Sequence, residues 1–251
     1  MNSPRPPLLS LDDALATLLA AAEPLDGAEQ VSTFDADGRV LAQQAVSALQ
    51  IPPVDNSAMD GYALRCADVP AAGAVLPVAQ RIAAGSAGTE LAPGTAARIF
   101  TGAPIPPGAD AVVMQEDTES AGEGLVRVRS VPQPGQAIRR AGEDVTRGAV
   151  VLASGTRLGP AALGQAAGIG MDRLWVARRP RVALFSTGDE LVMPGSVAPE
   201  QMPPGSIYNS NRFFLRALLR RLGCEVGDFG IVPDRREARW RHCATPPRNT
   251  I

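Results

Sequence analysis

The sequence contains no lysine: all 24 basic side chains are arginine, set against 26 acids for a net charge of −2. Without lysine there is no Schiff-base amine and no P-loop, whose GK[ST] ending needs that residue. The single histidine, His242, argues against a multi-histidine metal site or a histidine triad. Cys66, Cys224 and Cys243 are odd in number and widely spaced. They suit a reduced, cytoplasmic protein rather than a disulfide framework, and they lack zinc-site spacing. No apolar run approaches the ~18 residues of a membrane span. Asp12 and Asp13 precede ALATLLAAA, where a signal peptide wants positive charge, so neither a membrane nor an export role is expected. The charge balance gives no reason to expect nucleic acid as a partner. Catalysis must therefore rest on carboxylates, hydroxyls, arginines and backbone groups.

Glycine (25) and proline (23) are abundant, which implies short elements and many turns. Ser10 followed by Asp13 reads as a helix N-cap with an acid at N3. Leu11, Leu15, Leu18, Leu19 and Ala22 then mark one apolar helical face. A weaker helix is expected over 39–46. After the stiff Ile51-Pro-Pro53 break, β-like runs at 75–82, 96–101, 111–115, 125–130 and 137–140 alternate with Gly/Pro turns. These predict a small β-barrel or sandwich. A helix is expected from Pro160 to about Gly168. A strand at 181–185, a helix from Asn209 or Ser210 to about Leu222 and a strand at 225–232 predict a parallel βαβ unit. Phe213, Phe214, Ala217, Leu218 and Leu222 are expected to face inward, with Gly223 as C′ glycine. Residues 238–251 (ARWRHCATPPRNTI) carry three arginines, no acid and no apolar period. They read as a foreign or out-of-frame ending.

Two stretches gather chemistry. In VDNSAMDGYALR (54–65), Asp55, Asn56, Ser57 and Asp60-Gly61 form either a self-capped turn or an oxygen-lined pocket for a cation or polar ligand. In FSTGDE (185–190), Asp189 and Glu190 follow a buried strand. That is either a helix N-cap region or the ligand-binding carboxyl end of an open sheet. Asp234, after the strand at 225–232, belongs to the same sheet edge. Two carboxylates ~4 Å apart repel by ~4 kcal/mol at an effective dielectric of 20, so a converging pair wants a cation, an arginine or a shared proton. Hard oxygens alone point to Mg²⁺, which commonly bridges carboxylates to phosphates. Thr101-Gly102 ends a strand, and Arg139-Arg140 is either a phosphate clamp or a solvated, ion-paired couple.

PPVDNSAMDGYALR (52–65), RIFTGAPIPPGADAVVMQED (98–117), RRAGEDV (139–145), FSTGDEL (185–191) and IYNSNRFFLRALLRRLGCEV (207–226) together resemble the molybdopterin molybdenumtransferases. This is the MoeA family, whose eukaryotic relatives include the gephyrin E domain. The resemblance covers roughly 8–237. It implies a multidomain α+β chain: a split helical domain (1–50 and 145–179), an inserted small β-barrel-like domain (51–144) and the start of a molybdopterin-binding α/β domain (180–237). The family's glycine-rich SGGVSxGxxD-type segment and fourth domain have no counterpart in this sequence.

The resemblance also implies insertion of molybdate into adenylylated molybdopterin with release of AMP, Mg²⁺ as cofactor, a homodimer and a molybdopterin adenylyltransferase partner. Carried over by motif, Asp60, Thr101, Glu190 and Asp234 are the expected catalytic residues, and Glu190 and Asp234 the metal ligands. Ser186, Thr187, Gly188, Asp189 and Asp144 are the expected cofactor-binding residues. Asp60 and Thr101 of one subunit would act on the other subunit's Glu190 and Asp234. The rival expectation is a non-catalytic, dimerising fragment of the same family.

Overall fold

A computed structural model describes residues 9–23 and 25–232. The chain opens with α1 (Leu11–Ala20), β1 (Ala28–Ser32), β2 (Ala45–Val46), β3 (Asn56–Ser57) and β4 (Gly61–Leu64). Next come β5 (Val75–Ile82), β6 (Ala96–Ile99), β7 (Ala111–Met114), β8 (Thr118–Ser120), β9 (Leu125–Val128) and β10 (Ile138–Arg139). β11 (Val150–Leu152), α2 (Pro160–Gly168), β12 (Arg173–Ala177), β13 (Arg181–Thr187) and β14 (Leu191–Val192) follow. β15 (Ile207–Tyr208), α3 (Ser210–Arg221) and β16 (Glu225–Val232) end the described part. No helix among the described residues is long and apolar enough to cross a membrane.

The chain divides into two compact units, one formed by residues 44–153 and 164–171, the other by the remainder. The first is built on a six-stranded sheet in the order β7-β4-β6-β5-β9-β8, antiparallel except for the parallel β5–β6 pair. Both faces are covered. Leu64, Val113, Val126 and Val128 belong to one buried cluster, and their strand neighbours Ala63 and Val112 to another, with Ile82, Leu91 and Ile99. Residues alternate between faces along a strand, so consecutive apolar residues feed opposite clusters.

In the second unit β1 pairs with β12, and β13 lies parallel to β16 with α3 between them in sequence, as the βαβ reading expects. α1 starts where predicted. The Ser10 hydroxyl accepts from the Asp13 N–H at 3.1 Å and donates to the Asp13 carboxylate at 2.6 Å. Asn209 caps α3, and Gly223 follows it at φ +89°.

Two expectations fail. Residues 39–46 are extended, not helical: Leu41 N–H donates to Thr156 O and Ala42 N–H to Trp175 O, while β2 pairs with β11. Leu41 and Ala45 are buried in that conformation, and partner strands satisfy the backbone that a helix would have bonded internally. The apolar side of α3 is not inward either: Phe213, Phe214, Leu218 and Leu222 are all exposed. Among the described residues the helix packs chiefly on β13 and β16, and two strands are too narrow to cover such a face. The expected helical segments 1–50 and 145–179 hold α1 and α2 but also β1, β2, β11 and β12.

Candidate functional site

The 54–65 loop resolves residue by residue. Asp55 is spent on structure: its carboxylate accepts from Arg140 Nη1 at 2.6 Å and from the Ala141 N–H at 2.8 Å. The Ala141 N–H, then Arg140, hold its pKa below the usual carboxylate range. Ser57 is buried and donates to Met59 O at 2.6 Å. Asn56 Oδ1 is buried without a partner among the described residues. For Ser57 the self-capped turn is therefore the right reading, whereas Asp55 ties the loop to the distant 140–141 segment.

Asp60 differs. Its Oδ1 accepts from both the Thr101 N–H (2.8 Å) and the Thr101 Oγ1 hydroxyl (2.7 Å), which leaves Oδ2 without a partner among the described residues. The loop is anchored by Gln115 N–H to Asp60 O and Gly102 N–H to Ser57 O. The Thr101 N–H, then its hydroxyl, and the nearby Arg98 charge lower the Asp60 pKa. Because the folded pKa is depressed, this contribution to stability is present above the unfolded value of about 3.9 and fades as pH falls through the folded value. A T101V variant removes one of the two donors. Its Asp60 should titrate at higher pH than in the parent, read by carboxyl ¹³C NMR, and an unmoved titration would contradict this assignment.

Asp144 is apart from that pair. It is ion-paired to Arg139 at 2.5 Å and lines a cleft of about 320 Å³ with Glu143, Thr146, Val150 and Gln165, none of which belongs to the Asp60–Thr101 pair. Arg139 and Arg140 are both ion-paired, to Asp144 and Asp55, which favours the ion-paired couple over the phosphate clamp.

In the other unit, Ser186 and Thr187 end β13, and Gly188, Asp189 and Glu190 turn the chain into β14. No helix follows, so the N-cap alternative does not hold. Gly188 has φ +146°, and a Cβ there would lie 2.6 Å from the Glu190 carboxylate, which folds back over it. Among the described residues the Glu190 and Asp189 carboxylates accept no hydrogen bond. Ser186 Oγ reaches Asn209 Oδ1 at 3.4 Å, while the buried Asn209 Nδ2 has no acceptor among the described residues. Asp234 lies outside the described residues. No group of three or more His, Cys, Asp or Glu side chains suited to a metal ion is present among the described residues. Burial, then the Asp110 carboxylate, push the Cys66 thiol up to about 11, which keeps it a neutral thiol.

Residues 9–170 match a family model for the MoeA N-terminal region (domain I and II). The chain belongs to the MoeA family. Residues 183–240 match a second model, a probable molybdopterin binding domain. A molybdopterin molybdenumtransferase of Haemophilus influenzae is 40% identical over 228 residues, covering 90% of this chain and 55% of that protein. Molybdopterin molybdenumtransferase 2 of Mycobacterium tuberculosis is 42% identical over 236 residues, covering 88% and 56%. The chain thus spans about half the length of these curated relatives. Among solved structures, a molybdopterin biosynthesis MoeA protein of Pyrococcus horikoshii OT3 superposes with a TM-score of 0.85 at 32% identity, over 95% of this chain and 64% of that one.

Within this MoeA framework the sequence motifs supply the Asp60–Thr101 contact. Two features carried no signal in the one-dimensional pattern: the arginines beside that pair, and Asn209, flagged only as a helix cap. Strand register would have been needed to find the first, and knowledge of burial the second.

Proposed function

We propose that the chain acts in molybdenum cofactor biosynthesis as a molybdenum insertase. It would insert molybdate, as substrate, into adenylylated molybdopterin and release AMP. The observation that carries this reading is the meeting of two family motifs at one atom, Asp60 Oδ1, which takes both Thr101 donors. It is supported by family matches on both sides of residue 171–182. Thr101 fixes the Asp60 carboxylate and keeps it ionised, with Oδ2 directed to neither donor and open to a reacting group. Ser186, Thr187, Gly188 and Asp189 bind the pterin substrate at the end of β13. Asp144 holds Arg139 in place at the separate cleft that it lines.

The hard-oxygen donors at the end of β13, Glu190 with Asp234 after β16, fit the way Mg²⁺ is held, by one or two carboxylates together with substrate phosphates. Bound there, Mg²⁺ would neutralise charge on the adenylate linkage as that bond breaks. The protein's own part is positioning and electrostatic preorganisation. A homodimer lets Asp60 and Thr101 of one subunit face the Glu190 side of the other, and a molybdopterin adenylyltransferase would supply the substrate. Free Cys66 and Cys224 support a cytoplasmic setting.

The test is AMP release by the full chain from adenylylated molybdopterin with molybdate. Release that stops on EDTA treatment and returns with Mg²⁺ is the expected result. No release under any of these conditions would refute the reading. A second reading, a dimerising fragment without catalysis, is favoured by the bare apolar side of α1, where Leu11 is 83% and Leu18 70% exposed. A dimer by light scattering together with absent AMP release would select it.

A further inference from the structure

Some arginines of the described residues are ion-paired: Arg65, Arg127, Arg139, Arg140 and Arg212 each meet a carboxylate within 4.0 Å. Arg81 and Arg98 do not, among the described residues, although the sheet sets them side by side. They are direct register partners on the parallel strands β5 and β6, and Tyr62 on β4 is the next partner along the same rung. Like charges directly opposite on a sheet are unfavourable, and such a pair normally recruits an acid. Here aromatic rings take that place. The Arg81 guanidinium stands 4.6 Å from the Phe100 ring centroid, and the Arg98 guanidinium 4.7 Å from Phe100 and 5.2 Å from Tyr62.

Stacking of this kind holds a guanidinium in place while leaving its in-plane N–H donors available. Arg98 uses two, to Gly61 O at 3.0 Å and Gln115 Oε1 at 2.7 Å. Each guanidinium carries five donors. Arg81 is exposed, and none of its donors is engaged by the described residues. The Asp60 carboxylate senses Arg98, but its Oδ1 is already taken by Thr101.

We propose that Arg81 and Arg98, braced on Phe100 and Tyr62, form a binding site for a tetrahedral oxyanion beside the Asp60–Thr101 pair. The unengaged Arg81 fork, beside the Arg98 charge and its remaining donors, with neither guanidinium ion-paired among the described residues, suits the charge and hydrogen-bonding needs of such a group. Within the insertase reading, on which only its identity rests, the oxyanion is a phosphate group of adenylylated molybdopterin or molybdate itself.

Arginine side-chain NMR and calorimetry on the full chain test this, with titrations of molybdate and of pyrophosphate at constant ionic strength and a chloride control. Saturable shifts at the Arg81 and Arg98 Nε–H signals are expected, and the anion that binds tighter names the source. R81Q should weaken binding about tenfold, the scale of losing charge-assisted hydrogen bonds, and R81K should recover part of it. Arg81 makes no hydrogen bond to the described residues, so R81Q should leave the thermal midpoint in place; R98Q is the harsher second variant. Equal affinity in R81Q and parent, or shifts that chloride reproduces, would overturn the site. Oxyanion binding that needs Arg81, without any AMP release, would leave the site standing and remove the insertase reading. AMP release with an unchanged KM in R81Q would do the reverse.

Discussion

A Gly61→Ala chain should lose about 3 kcal/mol of stability or more, roughly 10 °C in thermal midpoint for a unit of this size. The reason is local. Gly61 opens β4 and pairs across to Met114 on β7. A Cβ on Gly61 would sit 2.0 Å from Val113 O and 2.9 Å from Val113 C. Both are backbone atoms of a strand whose side chains Val112 and Val113 are fully buried, so neither can swing aside. The β4–β7 ladder would have to open. Since Gln115 N–H holds Asp60 O at the same junction, the Asp60–Thr101 pair would be disturbed with it. Gly159→Ala is the control: nothing lies within 4 Å of its Cβ position, and a change of about 0.5 kcal/mol or less is expected. Chemical denaturation of both variants decides the matter. A G61A chain as stable as G159A would show that the strands are not this close.

The second large effect is on activity alone. On the proposed insertase reading, Glu190→Ala should reduce AMP release by about 100-fold or more, the scale of removing a charged group from a reacting centre. Its thermal midpoint should stay within a degree or two of the parent's, on the order of a surface substitution. The separation follows from the geometry. Glu190 is exposed and makes no side-chain hydrogen bond to the described residues, so the fold does not depend on it. A carboxylate that the protein leaves unengaged at a strand's carboxyl end is available to a ligand. Unchanged AMP release in E190A would remove Glu190 from the site; a large fall in stability would instead assign it a structural part.

Much of the architecture could be read along the chain. The strands at 75–82 and 225–232 and the helix at 160–168 coincide with β5, β16 and α2, because Gly/Pro punctuation and apolar period are local signals. The stretch 39–46 misled, since Leu41 and Ala45 suit a helix face as well as a strand, and only the partners β11 and β12 decide between them. The inward face assigned to α3 also misled. Periodicity identifies which side of a helix is apolar, but not whether a surface exists to receive it.

The candidate site divides in the same way. Asp60, Thr101, Ser186–Glu190 and Asp144 were named from motifs, and Asp60 and Thr101 do meet. Asp234 lies outside the described residues. Asp-Gly at 60–61 reads in sequence as a turn signal, yet Gly61 is required by the approach of Val113 O.

Residue chemistry and order were enough to exclude a Schiff-base lysine and a P-loop from this sequence and to argue against a histidine triad, to place most elements and to indicate the family, because each of these depends on composition or on neighbours close in the chain. Which oxygens of the 54–65 loop stay open, which arginines lack an acid and which glycine cannot bear a methyl group were decided only when β4, β5, β6 and β7 came together. Those properties belong to pairs of atoms far apart in the chain, and only cross-strand register brings them within hydrogen-bond or van der Waals distance.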